Sequence, residues 1–235
     1  MITTLLFDLD GTLLPIDTDD FIEKYMQTLV PHLAHFIPPQ TLAKEIMNST
    51  YAMIKNKDPQ KTNKDVFIED FFSRVPYSQN ELMPIFDDFY NNKFKELKKY
   101  VNITDENKRV LPIAKEKGYD IIIATNPVFP MSAIKERLNW IEALDIDLTL
   151  ITAYENMHFC KPNLEYYEEI LQIAGKKPSE CIMFGNDVEE DLVAGKLGIK
   201  TFLVEDFLIN RNGKDFKYDY RGKLKDVIKF INEVL

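Results

Sequence analysis

The stretch Phe7-Asp8-Leu9-Asp10-Gly11-Thr12-Leu13 constrains this chain more than any other. Before it, Ile2 to Phe7 form a short β-branched and apolar run of the kind that makes a buried parallel strand. Two aspartates stand where that strand ends, and Gly11 lets the backbone turn sharply after them. Side chains two apart share a face of a strand, so Asp8 and Asp10 point together if the strand persists. If the backbone twists there, one of them offers its carbonyl oxygen instead. Two carboxylates this close repel unless a cation sits between them or one takes a proton. The plainer alternative is a turn rich in Asp and Gly, with Asp10 capping the next segment.

Composition narrows the class. The 235 residues suffice for one large domain, or for a core with a smaller insertion. A net charge of -9 argues against a nucleic-acid binder, which shows a basic face. An anionic substrate stays compatible, because a bound divalent cation inverts the local field. No apolar run approaches the ~18 residues of a membrane-spanning helix, and the N-terminus lacks the pattern of a signal peptide. The expectation is a cytoplasmic protein with no membrane partner. Cys160 and Cys181 suit a reducing compartment and have no metal-ligand spacing, and His32, His35 and His158 are scattered.

Residues 16 to 99 read as a small helical bundle. Phe21, Ile22, Tyr25, Met26, Leu29, Leu33 and Phe36 recur at helical spacing, with Pro31 expected to kink or divide the segment. A second helix carries Leu42, Ile46, Met53 and Ile54, and a third runs from Val66 to Val75. Leu82, Ile85, Phe86, Phe89, Tyr90 and Leu97 make one apolar stripe over four turns. Nearly all of the aromatic side chains here are expected in a core, since they bury so much area each, with one or two at the bundle's mouth left to touch a substrate.

After residue 100 strands and helices alternate. A helix starts at Thr104 or Asp105 and reaches Lys117, with Pro112 a local break. Strands are predicted over 119–124, 147–151, 181–184 and 200–204, and helices over 131–143, 164–174 and 187–197. Arg211-Asn212-Gly213-Lys214 reads as a turn that suits a hairpin, and Leu224 to Leu235 as a C-terminal amphipathic helix. The alternation implies an α/β fold: a doubly wound parallel sheet with helices on both faces. The core comprises 1–15 and 100–235, and the helical insertion 16–99.

Polar residues gather where the buried strands end: Asp8 and Asp10, Thr125 and Asn126, Asn186 and Asp187, with Lys161 just ahead of a helix. In a doubly wound sheet such ends converge on one edge. Singly, Thr125 and Asp187 read as helix caps and Lys161 as a solvated side chain. Jointly with the opening Asp pair they read as a site.

The combination resembles the haloacid dehalogenase superfamily, and within it the phosphatases with a helical cap inserted after the first strand. Asp8-Leu9-Asp10-Gly11-Thr12-Leu13 looks like the first motif, Ala124-Thr125-Asn126 the second, Lys161-Pro162 the third, and Gly185 to Asp191 the fourth. The resemblance implies that Asp8 is a nucleophile forming an aspartyl-phosphate. It implies a bound Mg²⁺ held by Asp8, the Asp10 carbonyl and Asp187. Asp10 would protonate the leaving alkoxide and then take a proton from water. Thr125 and backbone amides near Asn126 would hold the transferring oxygens, and Lys161 would neutralise them. Asp191 would support Lys161 or the metal shell, while Gly11, Thr12 and Asn186 complete the motifs. Many relatives have Gly-Asp where this chain has Gly185-Asn186. The metal ligand is then Asp187, or Asn186 through its amide oxygen with Asp191 assisting; a carboxylate serves Mg²⁺ better.

Only about 35 residues separate Thr125 from Lys161, too few for a second large cap, so the lid is 16–99, hinged near Leu14-Pro15-Ile16 and Tyr100 to Thr104. The substrate implied is a small phosphorylated metabolite. A phosphotransferase or mutase of the same fold is the alternative, and a non-catalytic phosphate-binding regulatory protein a more remote one. Carbon–halogen cleavage is disfavoured because it has no need of the acid at Asp10.

Overall fold

The computed structural model describes residues 1–213 and 215–235. Six parallel strands form one sheet in the order β3-β2-β1-β4-β5-β6: β1 (Thr4–Phe7), β2 (Asp120–Ile123), β3 (Leu150–Ile151), β4 (Cys181–Gly185), β5 (Lys200–Val204) and β6 (Tyr220–Gly222). The chain lays strands to one side of β1, then crosses to the other, so β1 and β4 border the switch point where such sheets bind ligands. In register, Phe7 lies beside Ile123 and Phe184, which brings the ends of β1, β2 and β4 level.

The central strands β1, β2 and β4 are mostly apolar because both faces are covered, whereas the edge strand β6 exposes Tyr220 and Arg221. Leu5, Phe7, Ile121, Ile123, Ile182 and Phe184 pack with α5 (Asp105–Glu116), α6 (Met131–Trp140) and α8 (Leu224–Glu233). Leu6, Ile122, Cys181 and Met183 point the other way, onto Tyr166, Tyr167, Ile170 and Leu171 of α7 (Leu164–Ala174). Between β1 and β2 lie α1 (Thr18–Leu33), α2 (Pro39–Lys55), α3 (Asn63–Arg74) and α4 (Gln79–Asp88). Their buried residues are continuous with the first of these clusters: Trp140 of α6 stacks on Phe94 at 5.9 Å and meets Phe21 edge-on.

Several expectations are corrected. Helix α1 runs through Pro31, and α5 through Pro112. Pro112 lies inside its helix, whereas Pro31 stands in the last turn of α1, whose carbonyls are free to meet water. The fourth helix is not uniform: α4 passes into a π turn (Phe89–Lys93) and a 3-10 segment (Phe94–Tyr100). Phe89 and Phe94 are both fully buried five residues apart, and the wide turn, closed by Phe94 N–H to the Phe89 carbonyl, puts them on one side. The 187–197 segment forms turns and then a 3-10 helix (Leu192–Leu197) in place of one continuous α-helix, with the Asp187 and Asp191 side chains accepting from the amides of Glu189, Glu190 and Asp187 as caps do. The hairpin at 211–214 does not form: β5 and β6 pair in parallel across the loop between them, and Lys214 lies outside the described residues. Among the described residues no helix is long and apolar enough to cross a membrane.

Candidate active site

The end of β1 turns back on itself, with Gly11 N–H donating to the Leu14 carbonyl at 2.9 Å and Gly11 at φ +83°. Only glycine fits, since a β-carbon there would collide with the Asn186 side chain. Gly185 meets the same limit, its β-carbon position falling on the Asp191 carboxylate. These two close approaches let the first and fourth motifs interlock. Thr12 donates to Asn186 Oδ1 at 3.0 Å, and Asn186 Nδ2 donates to the Phe207 carbonyl at 2.6 Å.

Asp8, Asp10, Thr125, Asn126, Asn186, Asp187 and Asp191 line one cavity of about 130 Å³. Lys161, almost fully buried, reaches Asp8 Oδ1 at 2.8 Å and Asp191 Oδ1 at 2.6 Å. Burial works against its charge, but Asp191 and Asp8 outweigh this and hold its pKa well above the usual lysine range. Thr125 is pinned through its carbonyl, which accepts from Thr152 at 2.7 Å and Tyr166 at 2.8 Å. Asn126 donates to Glu190 at 3.0 Å. Asp187 Oδ1 accepts from the Glu189 and Glu190 amides, and Oδ2 pairs with Arg211.

Three participants escaped the sequence reading. Arg137 of α6 is fully buried, pairs with Asp10 and lies 4.6 Å over the Phe129 ring. Its signal was legible: Ala133, Ile134, Leu138 and Ile141 mark the buried face of that segment, and an arginine stands among them. Glu190 lies inside the fourth-motif stretch but was given no role there, and Arg211 had no signal, reaching the site on a loop held by the pairing of Ile209 with Asp187. Burial raises the pKa of Asp10, Arg137 opposes it, and Asp8 adds to it. Burial also pushes Asp191 and Glu190 upward.

The donor set suits a divalent cation. Five acidic side chains (Asp8, Asp10, Asp187, Glu190 and Asp191) gather with three basic ones (Lys161, Arg137 and Arg211), and a bound cation would favour the ionised form of the acids that burial holds back. Among the described residues nothing donates to the Asp10 carbonyl oxygen, and Asp10 Oδ1, Asn126 Oδ1 and Arg137 Nη2 are buried without partners. Orphaned polar atoms gathered in one place mark a ligand site. No three His, Cys, Asp or Glu side chains converge as a cage among those residues. A hard cation needs none, being held by one or two carboxylates, a carbonyl, water and substrate oxygens.

A parallel sheet with this acid-rich pocket at its switch point defines an α/β protein of the hydrolase kind. The chain belongs to the haloacid dehalogenase-like hydrolase family, whose sequence model matches residues 2–198. It is 25% identical over 237 residues to the pyrophosphatase PpaX of Bacillus cereus (strain AH820), covering 99% of this chain and 98% of that protein. Its fold is similar to that of a HAD phosphatase from Thermococcus onnurineus, with TM-score 0.58, 17% identity and 98% of both chains covered. It is also similar to that of the L-2-haloacid dehalogenase from Xanthobacter autotrophicus, with TM-score 0.61, 11% identity and 100% of both chains covered.

Proposed function

We propose that this hydrolase is a cytoplasmic, Mg²⁺-dependent phosphatase that cleaves a small phosphate monoester through an aspartyl-phosphate at Asp8. One observation carries the proposal: Asp8 and Asp10 open on a single cavity with different partners, Lys161 on Asp8 and Arg137 on Asp10. Unlike partners give two carboxylates unlike tasks. A carboxylate oxygen of Asp8 attacks phosphorus while the phosphorus–oxygen bond to the alcohol breaks. Asp10, its pKa raised chiefly by burial, gives its proton to the departing alkoxide. It then takes a proton from water, whose oxygen attacks the phosphorus, so that inorganic phosphate leaves and Asp8 is restored.

Thr125 and the amides near Asn126 hold the transferring oxygens, and Lys161 neutralises them while Asp191 keeps it in place. Asp8, the Asp10 carbonyl and Asp187 would hold Mg²⁺; Asn186 is a poorer donor, its amide oxygen already accepting from Thr12. The cation would screen a repulsion between nucleophile and phosphate of roughly 5 kcal/mol per pair of unit charges at ~3.5 Å and an effective dielectric of ~20. The 16–99 bundle serves as the cap, excluding water and meeting the leaving group. A haloacid dehalogenase has no leaving alkoxide to protonate, which makes an acid at Asp10 redundant there.

The test is hydrolysis of an aryl phosphate, with Mg²⁺ and with a chelator, by the wild type and by Asp8→Asn. Turnover should need the metal and fall at least ~1,000-fold in the variant. Turnover that survives in Asp8→Asn removes Asp8 as nucleophile.

A further inference from the structure

A second chamber of about 110 Å³ adjoins the reaction cavity, with Ile22, Val128 and Phe129 lining both. Its remaining walls come from α1, α2, α3, α4 and the π turn after it, and from the loops after β2 and β3, and among the described residues no charged side chain lines it. Its polar atoms are few. The Tyr25 and Tyr90 hydroxyls bond to each other at 2.7 Å, and the Thr50 hydroxyl is spent on the Ile46 carbonyl at 2.9 Å. The Tyr154 hydroxyl makes no hydrogen bond among the described residues. The cations near the reaction cavity are each committed to a carboxylate: Lys161 to Asp8 and Asp191, Arg137 to Asp10, Arg211 to Asp187.

We propose, resting on the phosphatase reading, that this chamber receives the alcohol part of the substrate. That part is an uncharged apolar or aromatic group about the size of a benzene ring, with room for one hydrogen-bonding atom near Tyr154. A chamber of roughly 150 Å³ walled by aliphatic and aromatic side chains stays dry and takes benzene, so this one suits a ring or a short branched chain. Each methylene it buries strengthens transition-state binding about fourfold. A second anionic group faces the opposite balance: entering an apolar chamber, it loses its water and meets no charged side chain in the lining, Lys64 Nζ lying outside it, 5.7 Å from the Tyr154 ring centroid. Pyrophosphate and carboxylated phosphate esters are therefore poor substrates, although the chain resembles a pyrophosphatase along its whole length.

The experiment compares kcat/KM with Mg²⁺ for methyl, butyl and benzyl phosphate, whose leaving groups have similar basicity, and for pyrophosphate. Wild type should prefer butyl and benzyl phosphate to methyl phosphate by about 50-fold, and benzyl phosphate to pyrophosphate by more than ~10-fold. Thr50→Phe, filling the chamber from α2, and Met83→Trp, filling it from α4, should each bring the benzyl-to-methyl ratio below ~5. A flat wild-type series, or pyrophosphate as the best substrate, overturns the chamber and leaves the phosphatase reading standing. If no ester is turned over, the phosphatase reading falls and calorimetry decides the chamber. Benzylphosphonate binding at least ~10-fold tighter than methylphosphonate keeps it, and equal affinity removes it.

Discussion

Arg137 shows how much one buried side chain can decide. It has no exposed surface, its Nε reaches the Ala133 carbonyl at 3.3 Å, and its guanidinium is shared between Asp10 and the Phe129 face. It thus fixes where the Asp10 carboxyl stands and opposes the burial that would neutralise it. A neutral side chain of similar length leaves the Asp10 carboxyl, 19% exposed, without its partner, which puts the loss at the low end for a broken buried pair, about 3 kcal/mol. Arg137→Met should therefore lower unfolding stability by about that amount, and adding Asp10→Asn should restore at least ~1 kcal/mol of it. Urea denaturation of the wild type, both single variants and the double variant measures this. Strictly additive costs would mean that the two residues do not act as an energetic unit.

Among the elements, α3 depends most visibly on its first turn. Thr62 accepts from the Asp65 amide at 3.1 Å, while Asp65 accepts from the Thr62 amide at 3.0 Å and hydroxyl at 2.7 Å. The Thr62 hydroxyl holds the Asp65 pKa below its ordinary value of 3.8. Stabilisation from a lowered carboxylate is present in full above the ordinary value and is lost as the pH falls through the depressed one. Thr62→Ala should thus cost about 1 kcal/mol at neutral pH, and the gap to wild type should narrow as the pH falls through the depressed pKa; thermal unfolding over a series from pH 7 downward tests both halves. A gap unchanged in acid would assign the loss to the hydroxyl's bond with the amide alone. The elements were legible where side-chain period and backbone agree, as in β1, β4 and α7, each close to its predicted span. They were illegible where the backbone leaves the α-helical period, as in the turns and 3-10 helix after Asp187, or where two aromatic rings five residues apart share one core. The strand-end site residues were legible because parallel topology brings them together whatever lies between. Arg211 and Glu190 were not, since their positions depend on loop contacts with no period.

At the scale of the molecule, the bundle is fastened to the sheet domain far from the two crossings where the chain enters and leaves it. Those crossings are themselves tied together, as Asn107 donates to the Leu13 carbonyl at 2.9 Å. Across the site, the connection between α2 and α3 meets the loops that carry the second and third motifs. The Asn63 and Lys64 amides donate to the Met157 and Tyr154 carbonyls at 2.8 Å, and Asn163 donates to the Ile54 carbonyl at 3.1 Å. Fully buried Asn63 also extends Nδ2 toward the Pro127 and Phe159 carbonyls, both at 3.4 Å. If residues 16–99 are a cap, this seam is the latch that opens for substrate, and opening breaks these bonds together with the Lys57–Glu165 pair and the aromatic contacts of Tyr25, Phe94 and Phe21 with Phe129 and Trp140. Asn63→Ala removes the long side-chain bonds and leaves the backbone ones, a loss of about 1 kcal/mol. Hydrogen exchange should then show the Asn63 and Lys64 amides exchanging about fivefold faster, with the β1 and β4 amides at their wild-type rates. Acceleration by the same factor in β1 and β4 would instead show that the seam opens only when the whole molecule unfolds, and that the bundle is part of the core rather than a lid.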